Sequence, residues 1–215
     1  MLTLLSFALA APPLSGRVAP GEPLIWAGID YSIAEFYVPE RFDDPEARVY
    51  WGPGGGLDDR IGRYPSPEAV FTQLTADWNA MFVNELGKKV EKGLDVRLVR
   101  DLPEADGQTI RREGGWFQAE SAAASAPSTV DAAAVKARVA AWSLTSTKGT
   151  GFGVIADRFS KAEDQGCFWP VYFDVATREV LWTERVCKRP TGMEFRNYWY
   201  NPLVDVVKEA VKAGR

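Results

Sequence analysis

The chain has 215 residues, 46% of them apolar and 25% charged, the composition of an ordinary globular protein. A chain of this length can bury roughly 70% of its extended surface without help from a cofactor. Its net charge of −4 and pI near 5.1 argue against the concentrated basic face of a nucleic-acid binder. The absence of histidine and the presence of only two cysteines exclude Ser-His-Asp and Cys-His catalysis and make a structural zinc site untenable. No metal and no cofactor are expected.

The first ten residues, Met1 to Ala10, form an apolar run ending in Ala8-Leu9-Ala10, which reads as the hydrophobic region and small-residue cleavage site of a signal peptide, without the usual positive residues at its start. The run is too short to span a bilayer, and no later stretch is apolar for about 18 residues, so a membrane-spanning chain is not expected. No cysteine follows the run, which gives no site for lipid attachment. Residues 11–23 are rich in proline and read as an irregular leader. From residue 24 to 215 the chain reads as a single α/β domain.

Leu24 to Tyr31 reads as the first strand, apolar enough for a central position covered on both faces. Asp30 is its one charged residue, near the strand end where α/β sheets tend to bind ligands. Residues 39–65 read as a long surface loop carrying Trp51 and a Gly-rich run to Arg60. That run lacks the lysine and spacing of a phosphate-binding loop and the alternating oxygens of a calcium loop. Ser66-Pro67-Glu68 then has the signature of a helix start. Val70, Phe71, Leu74, Trp78, Met81, Phe82, Leu86 and Val90 give one apolar stripe, predicting a helix of about 25 residues that stops near Gly93, with Lys88, Lys89 and Lys92 complementing its C-terminal dipole.

Leu94 to Arg100 is predicted to be a strand parallel to the first, completing a strand–helix–strand unit. Residues 102–128 read as a second loop with room for a short helix. Ser128-Thr-Val-Asp131 reads as a capping box opening a helix to about Val139, and Trp142 to Thr147 and Gly151 to Phe159 read as strands. Gly151-x-Gly153-x-x-Ala156 matches a dinucleotide fingerprint only formally, because its glycines open an apolar strand-like run.

Cys167 to Asp174 and Val180 to Cys187 are rich in aromatic and β-branched residues and predict an antiparallel hairpin. A turn centred on Thr177 sets Asp174 opposite Val180 and Cys167 opposite Cys187. Facing cysteines bridge in an oxidising compartment, and closing a loop of about 20 residues contributes roughly 3 kcal/mol. The alternative is a reduced, buried pair behaving as small hydrophobes. Phe195, Arg196, Tyr198, Trp199 and Tyr200 then crowd together, either as interface anchors or as a lid tying down a last helix that starts at Asn201-Pro202.

The fold class is therefore α/β (α+β), a mixed sheet carrying one long and two shorter helices and ending in an antiparallel hairpin. Its element order, together with Val171 to Trp182 and Leu94 to Asp101, resembles bacterial envelope α/β modules: the domains of the curli secretion protein CsgG, of LpoB-type activators of peptidoglycan synthases, and of the TolB N-terminus. Arg178 stands where those hairpins usually carry a turn glycine. The segment around Arg196 to Trp199 is also similar to exported bacterial proteins of unknown function. The resemblance implies a non-catalytic scaffolding or regulatory role in the envelope. The expectation is thus a periplasmic or otherwise exported module that binds an envelope protein through Phe195, Arg196, Tyr198, Trp199, Tyr200 and Trp51. Two alternatives are a carboxylate hydrolase, in which two of Asp30, Asp157 and Asp174 converge at about 5 to 9.5 Å, and a carrier that holds a small hydrophobic ligand in a closed apolar cavity.

Overall fold

The computed structural model describes residue 18 and residues 21–38, 75–101, 117–119, 128, 130–160, 163–192 and 195–215, with backbone only at 38, 117–119 and 195–196. The expected signal peptide, most of the leader, the 39–65 loop with Trp51, the helix start at Ser66 and nearly all of the 102–128 loop lie outside these residues. Among the described residues eight strands form one mixed sheet. They are β1 (Pro23–Asp30), β2 (Glu35–Val38), β3 (Arg97–Arg100), β4 (Phe117–Ala119), β5 (Thr150–Ser160), β6 (Gln165–Asp174), β7 (Val180–Thr183) and β8 (Val186–Lys188). The three helices are α1 (described from residue 75 to Leu94), α2 (Ala132–Ala141) and α3 (Phe195–Ala213).

The register reduces the eight strands to five rows. Strand β6 pairs antiparallel with β5 from Thr150 to Ser160 and so occupies one whole edge. The other edge is shared: β1 runs parallel beside Thr150 to Ile155, and β2 beside Arg158 to Ser160. Outside them lie β3, parallel to β1, and β4, parallel to β2. On the far side of β6, β7 pairs with Val171 to Phe173 and β8 with Gly166 to Phe168. The interruptions between β1 and β2 and between β7 and β8 flank the β5 bulge at Asp157. The sheet therefore carries a transverse seam crossed by only two unbroken strands, β5 and β6.

Helices α1 and α3 cover one face of the sheet, over Leu24, Trp26, Phe152, Phe159, Phe168 and Tyr172. Helix α2 covers the other, over Ile25, Ala27, Ile155, Val171 and Phe173. The predicted parallel pairing of β3 with β1 is observed. Trp78, Phe82, Leu86, Val90 and Leu94 are all buried and stand four apart. On a straight α-helix such a stripe rotates by about 40° per step. A π turn at Phe82–Leu86 widens the helix at its middle and keeps the stripe on the sheet, with Trp26 and Phe82 stacked at 3.7 Å.

Several elements differ from the sequence reading. Helix α1 ends at Leu94, next to the expected Gly93, but the residue that turns the chain is Asp95, in the left-handed conformation (φ 54°), while Gly93 makes room for Val211 of α3. The predicted strand at Trp142–Thr147 is an irregular link: its amides at Thr145 and Ser146 donate to the Asp101 carboxylate in place of a strand partner. The cap of α2 is Asp131, which accepts from Ala134 N at 2.8 Å, and Ser128 turns instead to Asp157. Helix α3 begins at Phe195, six residues before the expected start, and carries Pro202 inside it. Strands β2 and β4 were not foreseen.

The hairpin follows the expected register at Cys167–Cys187, Val171–Thr183 and Tyr172–Trp182. Near the turn it shifts, so Val180 faces Phe173 and not Asp174. The cause is local. Arg178 adopts φ 61°, its amide donates to Asp174 O, and Asp174 N donates to Glu179 O, which tightens the turn and leaves Leu181 as the extra residue of a bulge. The two cysteines form a disulfide, with sulfurs 2.09 Å apart.

Candidate functional site

Three of the predicted contact residues lie in the core. Tyr198, Trp199 and Tyr200 are 4%, 1% and 3% exposed. Trp199 meets Phe159 edge-on, and the Tyr198 hydroxyl donates to Asp164. Burial and that hydrogen bond push the Tyr198 hydroxyl up to about 12. These rings anchor α3 to the sheet and present no surface to a partner, which corrects the expectation. Phe195 and Arg196 lie in the first turn of α3, where the backbone alone is described, and Trp51 lies outside the described residues.

Of the three aspartates, Asp174 lies apart from the other two. Asp174 stands opposite Thr150 at one end of the sheet and accepts from the Thr177 amide and hydroxyl. Asp30 and Asp157 stand near the other end on the α2 face. Asp30 reaches that face because the β1 bulge, with Gly28 at φ 91°, reverses the strand's alternation after Ala27. Asp30 Oδ2 accepts from Arg138 and from the Trp142 ring nitrogen, both at 2.8 Å, and its Oδ1 accepts from Ser32 N. Asp157, fully buried, accepts from Arg185 and from the Ser128 hydroxyl, each at 2.6 Å. Beside them Arg158 holds Glu163 with two hydrogen bonds at 2.9 Å and lies 4.4 Å over the Tyr37 ring. Each acid of this row is held by an arginine, an arrangement that fixes α2 and β8 to the sheet and leaves neither Asp30 nor Asp157 a free carboxylate to share a substrate.

A different feature has the geometry of a binding site. Helices α1 and α3 run parallel, with their C-terminal ends together. A Cβ on Gly93 would meet Val211, one on Gly214 would meet Leu94, and Arg215 Nε donates to Gly93 O at 2.9 Å. The absent side chain at Gly93 is what allows this approach. Between the helices opens a groove of about 500 Å³ floored by Leu86, Val204, Val207 and Val211. Its walls carry Lys89 and Lys92 from α1, Lys208 and Lys212 from α3, Arg215 just past the end of α3, and Lys188 from β8. The anionic residues there are Asp205 and Glu209.

Glu209 faces Lys212 at 3.1 Å and Lys188 at 3.6 Å, and Asp205 faces Lys208 at 2.7 Å. The hydrogen bond from Lys212 holds the Glu209 carboxyl below its ordinary range, aided by the charges of Lys212 and Lys188. No carboxylate among the described residues pairs with Lys89 or Lys92. Six cations less two carboxylates leave the groove at +4, on a chain whose total is −4, so everything else sums to −8. The groove escapes a reading of the sequence because it depends on two helices over 100 residues apart lying side by side. The available signal is Lys208 and Lys212 recurring along one side of an otherwise apolar-faced helix, followed by Arg215.

Among the described residues no helix is long and apolar enough to cross a membrane, and no cluster of three or more acidic or cysteine side chains could hold a metal ion. No protein-family model, curated protein or solved structure matches this chain, so the reading of the site rests on its geometry.

Proposed function

We propose that the chain is a non-catalytic, exported binding module of the cell envelope, and that it engages a protein partner through the groove between α1 and α3. The observation that carries this reading is the groove itself: an open apolar floor of about 500 Å³ between walls whose charge is opposite to that of the rest of the chain. Such concentrated apolar surface with a polar rim suits a contact surface. The Cys167–Cys187 bridge supports an oxidising compartment, as do the apolar run at Met1 to Ala10 and the resemblance of the sequence's element order to envelope modules. The engagement of Asp30 and Asp157 by arginines favours structural over acid–base roles for them.

The test is site-specific photo-crosslinking in the source cells, with the photoreactive residue at Lys92 or Lys208 in the groove, or at Ala137 on the exposed side of α2 across the sheet. The expected result is a discrete protein adduct from the two groove positions and none from Ala137, in a fraction where both thiols are oxidised. Identical adducts from all three positions, or a chain recovered with free thiols, would reject the reading.

A further inference from the structure

We propose that the occupant of the groove is an acidic amphipathic helix of the partner, laid along α3 as a third helix. The proposal deepens the binding-module reading above and depends on it. Three observations converge.

The first is charge. Cations near helix C-termini ordinarily answer the helix dipole, and α1 and α3 end side by side. Two dipole ends amount to about −1 in total, which leaves a surplus of about three positive charges in a groove that carries +4. Lys89 and Lys92, exposed on α1, have no carboxylate partner among the described residues. Of the pairs that do exist, Lys208 with Asp205 and Lys212 with Glu209 are surface pairs three residues apart on one helix, and Lys188 meets Glu209 only at 3.6 Å, so all are easily exchanged for an incoming carboxylate.

The second is shape. From Val204 to Ala213 the α3 wall runs about 14 Å, two and a half turns of helix, with Arg215 just past its end. The groove is partly open to solvent, as a helix-in-groove contact requires, whereas small hydrophobic ligands are ordinarily enclosed over most of their surface. The third is the pattern of the walls. Apolar residues floor the groove and cations stand on both sides, so the matching ligand has an apolar stripe flanked on both sides by glutamate or aspartate.

The experiment uses the whole, disulfide-intact chain and a synthetic fluorescein-labelled helical peptide of about five turns, with a leucine stripe flanked by glutamates. A peptide with glutamine at every glutamate, and vesicles of phosphatidylglycerol or phosphatidylcholine, complete the set. Binding is read by anisotropy and located by amide chemical-shift mapping. The glutamate peptide is expected to bind at least tenfold more tightly than the glutamine peptide, with shifts confined to residues 86–93, 188 and 204–215. The double variant Lys89→Glu, Lys92→Glu, both exposed positions, should lose about tenfold for the glutamate peptide and recover binding to a peptide bearing lysines instead.

Equal affinity for the two peptides, shifts elsewhere, or uptake by phosphatidylglycerol vesicles without peptide binding would each overturn the proposal. If groove crosslinks to a protein appear while the acidic peptide shows no preference, the partner's chemistry is wrong and the binding-module reading stands. If the groove gives no specific crosslink, both fall.

Discussion

Asp157 has no exposed surface, while the Arg185 side chain that neutralises it is 35% exposed. Removal of the two partners should therefore have unequal effects. Arg185→Ala leaves a buried carboxylate with, among the described residues, only the Ser128 hydroxyl, and should destabilise the fold by about 3 kcal/mol. Asp157→Asn frees an arginine that can turn to water and should cost about half as much. Denaturant melts of the two variants compare them directly; equal losses would show that the pair does not govern. Asp101 provides a pH-dependent counterpart. Burial acts to raise its pKa, yet the hydrogen bonds from Ser146 and Thr145 outweigh burial and hold it below the ordinary carboxylate value. A carboxyl whose folded pKa is depressed stabilises the fold above its unfolded pKa of about 3.9, and that contribution fades as the pH falls through the lower folded value. Asp101→Asn should thus flatten the acid limb of the stability–pH profile below about pH 4 and change its shape little above pH 5.

At the scale of elements, the central hairpin rests on glycines that make room for rings. A Cβ on Gly151 would collide with the Phe173 ring, and one on Gly153 with Trp142. Gly153→Ala should destabilise by about 1–3 kcal/mol through overpacking, measured by thermal melts. This explains a spacing that looks like a cofactor fingerprint in the sequence: the glycines fit aromatic neighbours in the middle of a strand. The strongly patterned elements are legible in the chain alone, namely β1, α1, β3, β5 and the β6–β7–β8 ribbon, because each places its apolar residues at its own period. Others are not. The Trp142–Thr147 segment has strand-like residues, but Asp101, over 40 residues away, takes its amides. Tyr198 to Tyr200 look the same in sequence whether they face a partner or the core, and only the docking of α3 puts them inside. Strands β2 and β4 have four and three residues, too few for a period to emerge. The groove belongs to neither of its helices, so no local window contains it.

For the whole molecule, the covalent staple between β6 and β8 closes a 20-residue separation. Replacing both cysteines by alanine should lower stability by about 3 kcal/mol, as read from denaturant midpoints. The seam across the sheet gives that number a location. The rows beside β5 and β6 are each divided at the same level, with β1, β3 and β7 on one side and β2, β4 and β8 on the other. The bridge lies on the second side of the seam, where it ties β8 to β6. Under reduction the amides of β2, β4 and β8 should exchange with deuterium sooner, as one cooperative set, while those of β1, β3 and β7 keep their protection. A molecule jointed in this way can loosen one end without disturbing the other. The end that holds firm carries the contact of Gly214 with Leu94 and Tyr172, whereas Lys188 of the groove wall belongs to the end that loosens, so reduction reaches one wall of the groove and leaves the meeting point of α1 and α3 in place.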